Sequence, residues 1–515
     1  MSQLTRRTVL LGGLGIAGAG ALSACSGPAG PGAALTTPHA FAGPAPLKPT
    51  PGQRVVETRL TAQPVTLDLG GPTVETWAYG DTVPGPLIRA NVGDLVRVRL
   101  DNQLPTGTTI HWHGIALRNV ADGVPGLTQD PVASGSSYTY EFTAPDPGTH
   151  FYHPHVGVQL DRGLYAPLII DDPREPGGYD AEWVIVLDDW VDGTGRTPDD
   201  VLKELTGSSP SNSDGMGGMD GMGGMDHGSM PMGPGQGETG MPGMPGMSMG
   251  AAPFGDAGDV SYPHFLINGR IPTAAETFRA RPGQRIRLRI INAAADTIFT
   301  LALGGHRMTL THSDGFAVQP RETEAFYIGM GERYDAIVTL KDGVFPLVAL
   351  PFGKPGQARA LLRTGAGSAP AATVTPSELG GDVLLGSDLV PAPASRLPDK
   401  AVDASTRLTL NGQMRPYVWG MNGAPYGKNT PLTVREGQRL RIEVTNMTMM
   451  AHPLHLHGHT FALADSGLRK DTVLLRPMES RAIEVEADNA GDWALHCHNI
   501  YHAEAGMMTA LNYRS

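Results

Sequence analysis

Eight of the 17 histidines form four His-x-His pairs, and this pattern indicates a metal centre. The pairs are His111 and His113, His153 and His155, His455 and His457, and His496 and His498. Alternate side chains of a β-strand point to the same side, so both imidazoles of a pair can face one cluster. A single pair is weak evidence, because histidine is also an ordinary surface or core residue. Four pairs at equivalent positions of a repeat predict a metal cluster at a domain interface.

A cysteine lies between the last two of these histidines. Cys497 projects to the opposite side of the strand from its two neighbours, and His502 and Met507 follow it in sequence. His452 stands three residues before the third pair. One cysteine and two histidines with a weak axial methionine are the ligands of a blue-copper electron-transfer site. The alternative, a small buried hydrophobe at Cys497, is disfavoured by the histidines around it.

These residues lie in two of three copies of a repeated strand pattern. Each copy consists of a glycine turn, an alternating apolar and polar strand and an asparagine, at residues 93–102, 283–292 and 437–446. Nine residues after the asparagine, the first and third copies have a His-x-His pair and the middle copy has apolar residues. Turn residues are frequent and helical periodicity is scarce. The sequence therefore predicts an all-β protein of three sandwich domains, the middle one without metal ligands.

The first 24 residues resemble a bacterial export signal. Arg6 and Arg7 precede an apolar stretch that is too short and too rich in glycine for a membrane span. Residues 22–25 resemble a lipobox, in which Cys25 becomes the lipidated first residue; an ordinary cleaved signal with a chance cysteine is the alternative. We expect export by the twin-arginine route to the cell envelope, at the outer face of the cytoplasmic membrane or in the periplasm. Residues 25–52 would be a flexible tether, and the lipid would be the only contact with the membrane.

Composition separates one segment from the repeat. Residues 214–250 are almost entirely glycine, methionine, proline, aspartate and serine, and they contain ten of the 21 methionines. So many glycines and prolines predict a disordered loop. Thioether sulfur prefers Cu(I), so the loop could gather that ion, although a plain flexible linker is the alternative.

The whole chain has a net charge of −12 without a basic run, so no nucleic-acid partner is expected.

The four histidine motifs resemble those of the three-domain multicopper oxidases. They occur in the order typical of that family, and residues 268–270 and 331–335 are similar to segments of its middle domain. The resemblance implies three consecutive cupredoxin-like β-sandwich domains. The implied boundaries are 53–173 for domain 1, 174–365 for domain 2, 366–400 for a linker and 401–515 for domain 3.

The resemblance also implies four copper ions. The type 1 copper would be bound by His452, Cys497, His502 and axial Met507, and the type 2 copper by His111 and His455. One type 3 copper would be bound by His113, His153 and His498, and the other by His155, His457 and His496. Electrons would enter at the type 1 site, whose histidines are expected to face the surface. They would pass through Cys497 to the trinuclear site, where O2 is reduced to water.

Two carboxylates are candidates for a proton relay. Asp122 matches a family carboxylate that supplies protons near the trinuclear site, with a solvated loop aspartate as the alternative. Glu504 lies between His502 and Met507, where related enzymes also have carboxylates. However, Ala503 stands directly after the type 1 histidine, where some relatives have an acid.

Three functions remain open at this point. The first is Cu(I) oxidation in copper tolerance, with Met447, Met449 and Met450 as substrate-binding residues just before His452. In Cu(I)-oxidising relatives a methionine matches Met450, but their aspartate two residues earlier is Thr448 here. The second is a laccase-like oxidation of phenols, or oxidation of Fe(II) or Mn(II). The third is a lipoprotein that sequesters copper without turnover, which would not need a trinuclear site. The sequence leaves the oligomeric state open.

Overall fold

The computed structural model describes residues 45–175, 177–207 and 253–514. The predicted signal with Cys25 and the methionine-rich segment 214–250 lie outside these residues. Strands account for 47% of the structure and helices for 8%, and the strands form six sheets in the described part of the chain. The prediction of an all-β protein of three cupredoxin-like sandwiches is confirmed. None of the described helices has the length and apolar character that a membrane span requires.

Domain 1 consists of two four-stranded sheets. Its strands are β1 (Val55–Asp68), β2 (Thr73–Tyr79), β3 (Ile88–Asn91), β4 (Leu95–Asn102), β5 (His111–His113), β6 (Ser137–Thr143), β7 (Gly148–His153) and β8 (Ala166–Asp171). Short 3₁₀ helices occupy Asn119–Ala121 and Gln159–Asp161. The sheet orders are β2-β1-β4-β6 and β3-β8-β7-β5. Because β5 and β7 are antiparallel neighbours, His111 lies opposite His153.

Domain 2 consists of two six-stranded sheets. Its strands are β9 (Ala181–Trp190), β10 (His264–Ile267), β11 (Thr277–Arg279), β12 (Arg285–Asn292), β13 (Phe299–Leu303), β14 (Met308–Ser313), β15 (Phe316–Thr323), β16 (Ala325–Ile328), β17 (Arg333–Thr339), β18 (Val344–Pro351), β19 (Ala358–Arg363) and β20 (Val383–Leu384). The sheet orders are β10-β9-β12-β17-β14-β15 and β11-β19-β18-β13-β16-β20. Its helices are α1 (Pro198–Leu205) and the 3₁₀ helices Pro272–Ala274, Ser377–Gly380, Gly386–Asp388 and Pro393–Ser395. The segment predicted as a linker supplies β20, which pairs with β16 at the sheet edge.

Domain 3 consists of a six-stranded and a five-stranded sheet. Its strands are β21 (Ala404–Met414), β22 (Tyr417–Met421), β23 (Leu432–Val434), β24 (Arg439–Asn446), β25 (His452–Leu456), β26 (Phe461–Leu463), β27 (Arg469–Lys470), β28 (Thr472–Leu475), β29 (Ser480–Glu486), β30 (Asp492–Cys497) and β31 (Met508–Tyr513). Helix α2 (Ile500–Glu504) separates the last two strands. The sheet orders are β22-β21-β24-β29-β26-β27 and β23-β31-β30-β25-β28. Antiparallel pairing of β25 and β30 places His455 opposite His496.

The repeated strand has the same position in each domain. Strands β4, β12 and β24 run parallel to β1, β9 and β21 and antiparallel to β6, β17 and β29. Each ends in a buried asparagine, Asn102, Asn292 or Asn446. The side-chain amide of each donates to two backbone carbonyl groups, one four or five residues on and one 30 to 36 residues on. The asparagine oxygen accepts the backbone N–H two residues on, at 2.9 to 3.0 Å. The asparagine therefore fixes the loop that follows it. In domains 1 and 3 this loop leads to a His-x-His pair, and in domain 2 it leads to the apolar residues at the same positions.

Candidate metal centre

The four His-x-His pairs, two from domain 1 and two from domain 3, converge on one region. Their nitrogens form three groups in which all ligand atoms lie within 4.8 Å of one another: His111, His113 and His455; His113, His153 and His498; and His155, His457 and His496. The Nε2 atoms of His457 and His496 are 2.9 Å apart, and those of His111 and His455 are 3.4 Å apart. Seven of the eight imidazoles are buried and His155 is half-buried. The structure thus brings together all eight residues that the sequence predicts.

The nitrogens of these rings fit a metal cluster. His113 Nδ1, His153 Nε2 and both nitrogens of His498 are buried without a hydrogen-bond partner in the described residues. Buried polar atoms without a partner are uncommon because they lose their hydration, so their convergence here indicates a ligand. Burial lowers the pKa of His113, His153 and His498 far below the ordinary value, which keeps the rings neutral and their lone pairs available. Neutral imidazoles are good ligands for copper.

Asp122 contacts two ligand rings at their Nδ1 atoms, on the side away from the cluster. Its carboxylate accepts from His111 Nδ1 at 3.1 Å and from His457 Nδ1 at 2.9 Å, and its side chain is fully buried. Both imidazoles therefore present Nε2 to the cluster. The structure places Asp122 beside the ligands, and its part in proton transfer remains a prediction.

Asp471 and Thr472 form a second support that the sequence did not reveal. His113 Nε2 donates to Asp471 Oδ1 at 3.1 Å, and His455 Nδ1 donates to the carbonyl oxygen of Asp471 at 2.9 Å. Thr472 Oγ1 lies 3.0 Å from His113 Nε2 and 3.1 Å from His455 Nδ1. The pairing of His455 with Thr472 between β25 and β28 creates this arrangement. No local motif signals it, because the register between distant strands sets the contact.

The cysteine lies in a separate group with two histidines. Cys497 Sγ is 3.5 Å from His452 Nδ1 and 3.7 Å from His502 Nδ1, and all three residues are buried. Met507 is buried as well, and its carbonyl accepts from the N–H of Cys497 at 3.0 Å. Burial raises the pKa of the Cys497 thiol, so a thiolate here needs a cation to replace its proton.

The outer nitrogens of these two histidines have different partners. His452 Nε2 lies 2.7 Å from Thr448 Oγ1. His502 Nε2 donates at 2.9 Å to Asp259 Oδ2, which also accepts from the Tyr417 hydroxyl at 2.7 Å. Burial opposes ionisation of Asp259, but the bonds from His502 and Tyr417 hold its pKa below the ordinary value. Asp259 is therefore an anion and Thr448 is neutral.

Neither histidine beside Cys497 reaches the surface. His452 and His502 have a relative exposure of 0%, and the Trp419 ring lies over His502 with ring centroids 4.1 Å apart. The Asp259 side chain, on the outer side of His502, is only 2% exposed. The expectation that these histidines face the surface is therefore wrong. Sequence proximity could not reveal this cover, because Asp259 comes from a distant part of the chain.

Asp296 connects the segment of Asp259 to helix α2. Its carboxylate accepts from the backbone N–H of Asp259 at 3.1 Å and from Asn499 Nδ2 at 2.5 Å. The Asn499 side chain caps α2 and accepts from the backbone N–H of His502 at 3.3 Å. Lys354 Nζ lies 2.7 Å from Asp296 and compensates its buried charge. The same anion thus positions His502 and the carboxylate that contacts it.

The remaining predicted residues lie around this group. Met450 is 6% exposed, whereas Met447 and Met449 are 57% and 66% exposed. Glu504 at the end of α2 is exposed, and no hydrogen bond or ion pair joins its side chain to a ligand in the described structure. Its role in a proton relay remains a prediction.

Comparison with known proteins identifies the family. Three family models described as multicopper oxidase match residues 61–175, 247–367 and 399–515. The chain belongs to the multicopper oxidase family and is an oxidoreductase that uses copper. This confirms the resemblance seen in the sequence.

Similar proteins are known from several bacteria. The chain is 49% identical to multicopper oxidase MmcO of Mycobacterium tuberculosis, over 99% of this chain and 97% of that protein. It is 29% identical to a copper resistance protein A homolog of Pseudomonas syringae pv. tomato, over 89% and 93% of the two chains. The crystal structure of a multi-copper oxidase from Pseudomonas thermotolerans matches with a TM-score of 0.67 and 27% identity, over 90% of this chain and 100% of that one.

His150, a buried histidine outside the ligand groups, predicts a pH effect on stability. It is 2% exposed, and burial lowers its pKa to about 3. An unfolded histidine has a pKa of about 6.5, so the unfolded state binds more protons below that pH and stability falls as the pH falls. We expect copper-loaded His150→Gln to lose about 1.6 kcal/mol less stability than wild type between about pH 6.5 and 5, because the slope rises toward about 1.4 kcal/mol per pH unit as the unfolded histidine becomes fully protonated.

Urea unfolding at the two pH values measures this difference. The control His264→Gln alters a half-buried histidine of β10 and should change the pH dependence much less. Equal pH dependence in His150→Gln and wild type would contradict the assignment of a neutral buried imidazole.

Proposed function

We propose that this protein oxidises Cu(I) at a type 1 copper and transfers the electrons to O2 at a trinuclear copper centre. The observation that carries the proposal is the position of residues 254–260, which follow the methionine-rich stretch and close over the cysteine group. Bound copper would supply one-electron transfer and the reduction of O2 to water. The protein contributes the ligands, their orientation and the exclusion of water from the cysteine group.

The ligand assignment follows the groups in the structure. His452, Cys497 and His502 with Met507 would hold the type 1 copper, and His111 and His455 the type 2 copper. His113, His153 and His498 would hold one type 3 copper, and His155, His457 and His496 the other. These sites amount to four copper ions.

Cys497 connects the two centres through its neighbours. The bonded residues on either side of it, His496 and His498, belong to different histidine groups. His496 Nδ1 also donates to the Cys497 carbonyl at 2.8 Å, which adds a hydrogen-bonded route to the covalent one. Electrons that enter at Cys497 therefore have short covalent paths to both type 3 groups, one residue away on either side.

The segment after the methionine-rich stretch is attached to the loop that carries three predicted methionines. Ala451 N–H donates to the Phe254 carbonyl at 3.1 Å, and Asp256 N–H donates to the Met449 carbonyl at 3.2 Å. Isolated bridges pair Met450 with residues 255 and 256. The methionine-rich stretch ends four residues before Phe254 in sequence, and Phe254 is bonded to the loop that carries the exposed Met449. Thioether sulfur suits a soft cation such as Cu(I).

Burial of the type 1 histidines favours a small cationic donor. The Asp259 carboxylate lies against His502, and an anion in a protein attracts cations. An aromatic donor would have to displace Tyr417 or Trp419 to reach the His502 imidazole. A laccase-like reaction with phenols is therefore less favoured, and sequestration without turnover leaves the trinuclear ligands without a use. Fe(II) or Mn(II) is the second candidate donor, because carboxylate oxygens of Asp256 and Asp259 suit these harder ions.

Deletion of residues 214–250 separates these substrates. If the methionines gather Cu(I), the rate of Cu(I) oxidation at low copper should fall about five- to tenfold, the effect of losing about 1 kcal/mol of binding. Oxidation of a phenol should stay constant or rise, and Fe(II) oxidation should be unchanged. O2 uptake with each donor measures the rates. A variant with the ten methionines changed to leucine keeps the length and should reproduce the Cu(I) loss. Unchanged Cu(I) rates in both variants would leave the segment as a linker.

Cys497→Ser tests the type 1 assignment. Loss of the thiolate should abolish the blue absorption and all turnover, while the trinuclear histidines still bind copper. Absorption spectra, copper analysis and O2 uptake measure these properties. Retained oxidase activity would contradict the assignment.

The N-terminal sequence supports a proposal on location. We propose export by the twin-arginine route and lipid attachment at Cys25, with the protein at the outer face of the cytoplasmic membrane or in the periplasm. Cys25→Ala should leave export intact and move the protein from the membrane fraction to the soluble fraction. Replacement of Arg6 and Arg7 by lysine should trap a precursor inside the cell. Equal solubility of wild type and Cys25→Ala would contradict the lipid anchor.

A further inference from the structure

The middle domain supplies none of the histidines assigned to copper, but it directly contacts the trinuclear ligands. Gly331 precedes β17 and has a φ of +82°. A Cβ atom at this position would lie 2.9 Å from the His498 ring and 3.0 Å from His113 Cε1. Such contacts are too close for any side chain, so the domain 2 backbone forms a wall of the cluster.

Two residues further on, Arg333 joins the three domains. Its guanidinium is fully buried and donates from Nη1 and Nη2 to the two oxygens of Asp471 in domain 3, both at 2.6 Å. Its Nε donates to the Thr149 carbonyl of domain 1 at 3.0 Å. A guanidinium with two parallel bonds to a carboxylate fixes both the position and the rotation of that carboxylate.

The orientation of Asp471 determines which nitrogen two ligands present. Its Oδ1 accepts from His113 Nε2, so that ring presents Nδ1, which has no other partner in the described residues. Its carbonyl accepts from His455 Nδ1, so that ring presents Nε2 toward His111. A change in Asp471 would therefore disturb one type 3 ligand and one type 2 ligand together.

Domain 2 also holds Arg333 and Asp471 by their backbone, through Asp314. The Asp314 carboxylate accepts from the backbone N–H of Arg333 at 2.9 Å and of Asp471 at 3.3 Å. It also pairs with Lys470 Nζ at 3.1 Å, and Lys470 lies 3.2 Å from Glu332. All five groups are buried, so each charge depends on the others for compensation.

We propose that Arg333 is a positioning residue for the trinuclear centre. By holding Asp471, it allows the middle domain, which supplies none of the histidines assigned to copper, to orient His113 and His455. This rests on the trinuclear assignment made above, and it is independent of the electron donor. In the described structure Arg333 donates no hydrogen bond to His113 or His455, so its hydrogen-bonded connection to both rings runs through Asp471.

Arg333→Lys tests the proposal because it keeps the positive charge and removes the guanidinium with its two parallel bonds to Asp471. The affinity for trinuclear copper should fall about 10- to 100-fold, the usual effect of losing a support of metal ligands. Chelator competition with copper analysis measures the loss, and the electron paramagnetic resonance signal of the type 2 copper should change. The blue type 1 absorption should persist, because Arg333 makes no contact with the cysteine group.

Arg287→Lys is the matched control. Arg287 is a buried arginine of the same domain that pairs with Asp335 and Glu175, and in the described structure it forms no hydrogen bond with a histidine assigned to copper. It should retain wild-type copper content and spectra, even if its stability decreases. Arg333→Lys with wild-type trinuclear affinity and an unchanged type 2 signal would overturn the proposal.

A double variant covers the case in which Arg333→Lys does not fold. Arg333→Met with Asp471→Asn removes both charges, so no uncompensated ion remains in this pair. The proposal expects a blue protein with weakened trinuclear copper, and full trinuclear loading of this variant would overturn it. If wild type itself lacked a type 2 signal, the result would refute the trinuclear assignment. It would be distinct from a failure of the proposed role of Arg333, which only the variants reveal.

Discussion

Each ligand imidazole has two nitrogens, and the structure depends on holding one of them so that the other faces the metal. Eight of the ten histidines assigned as ligands have this anchor among the residues that the structure describes. The acceptors or partners are Asp122, Asp471, Thr448, Asp259 and the carbonyl groups of residues 154 and 497. Burial keeps most of these rings neutral, and the anchors fix their tautomers and rotation. Without the anchors, a buried imidazole could rotate and present an N–H where a lone pair is needed.

Sequence reasoning could find the ligands but not all of their anchors. The ligands repeat at fixed distances from a glycine and an asparagine, so the repeat shows them even in one chain. The anchor of His502 is 243 residues away, and Arg333 is 138 residues from Asp471. Such contacts depend on how domains pack, which no local spacing encodes. The expectation of surface-facing type 1 histidines was wrong for the same reason.

The middle domain shows what remains of the repeat when the ligands are absent. Asn292 makes the same bonds as its two counterparts, and Leu301 and Leu303 fill the core where the other copies have imidazoles. An imidazole at these positions, without a metal or an anchor, would be a buried polar group without partners. Apolar residues are therefore the stable choice for a copy that keeps the fold and has no copper ligands at these positions.

Although the middle domain has no histidine pairs at the ligand positions of the repeat, it still contacts both groups of copper ligands. Asp259, on a segment just before β10, contacts the cysteine group, while Gly331 and Arg333, at the start of β17, contact and support the trinuclear group. The two supports also differ in charge, since Asp259 leaves an anion on the donor side whereas Asp471 is neutralised by Arg333. An anion on the donor side attracts a cationic donor, with Lys354 offsetting part of the Asp259 charge. A carboxylate paired with an arginine holds ligands without adding charge to the cluster. One domain can therefore serve substrate approach and ligand geometry at once, through residues that bind no metal themselves.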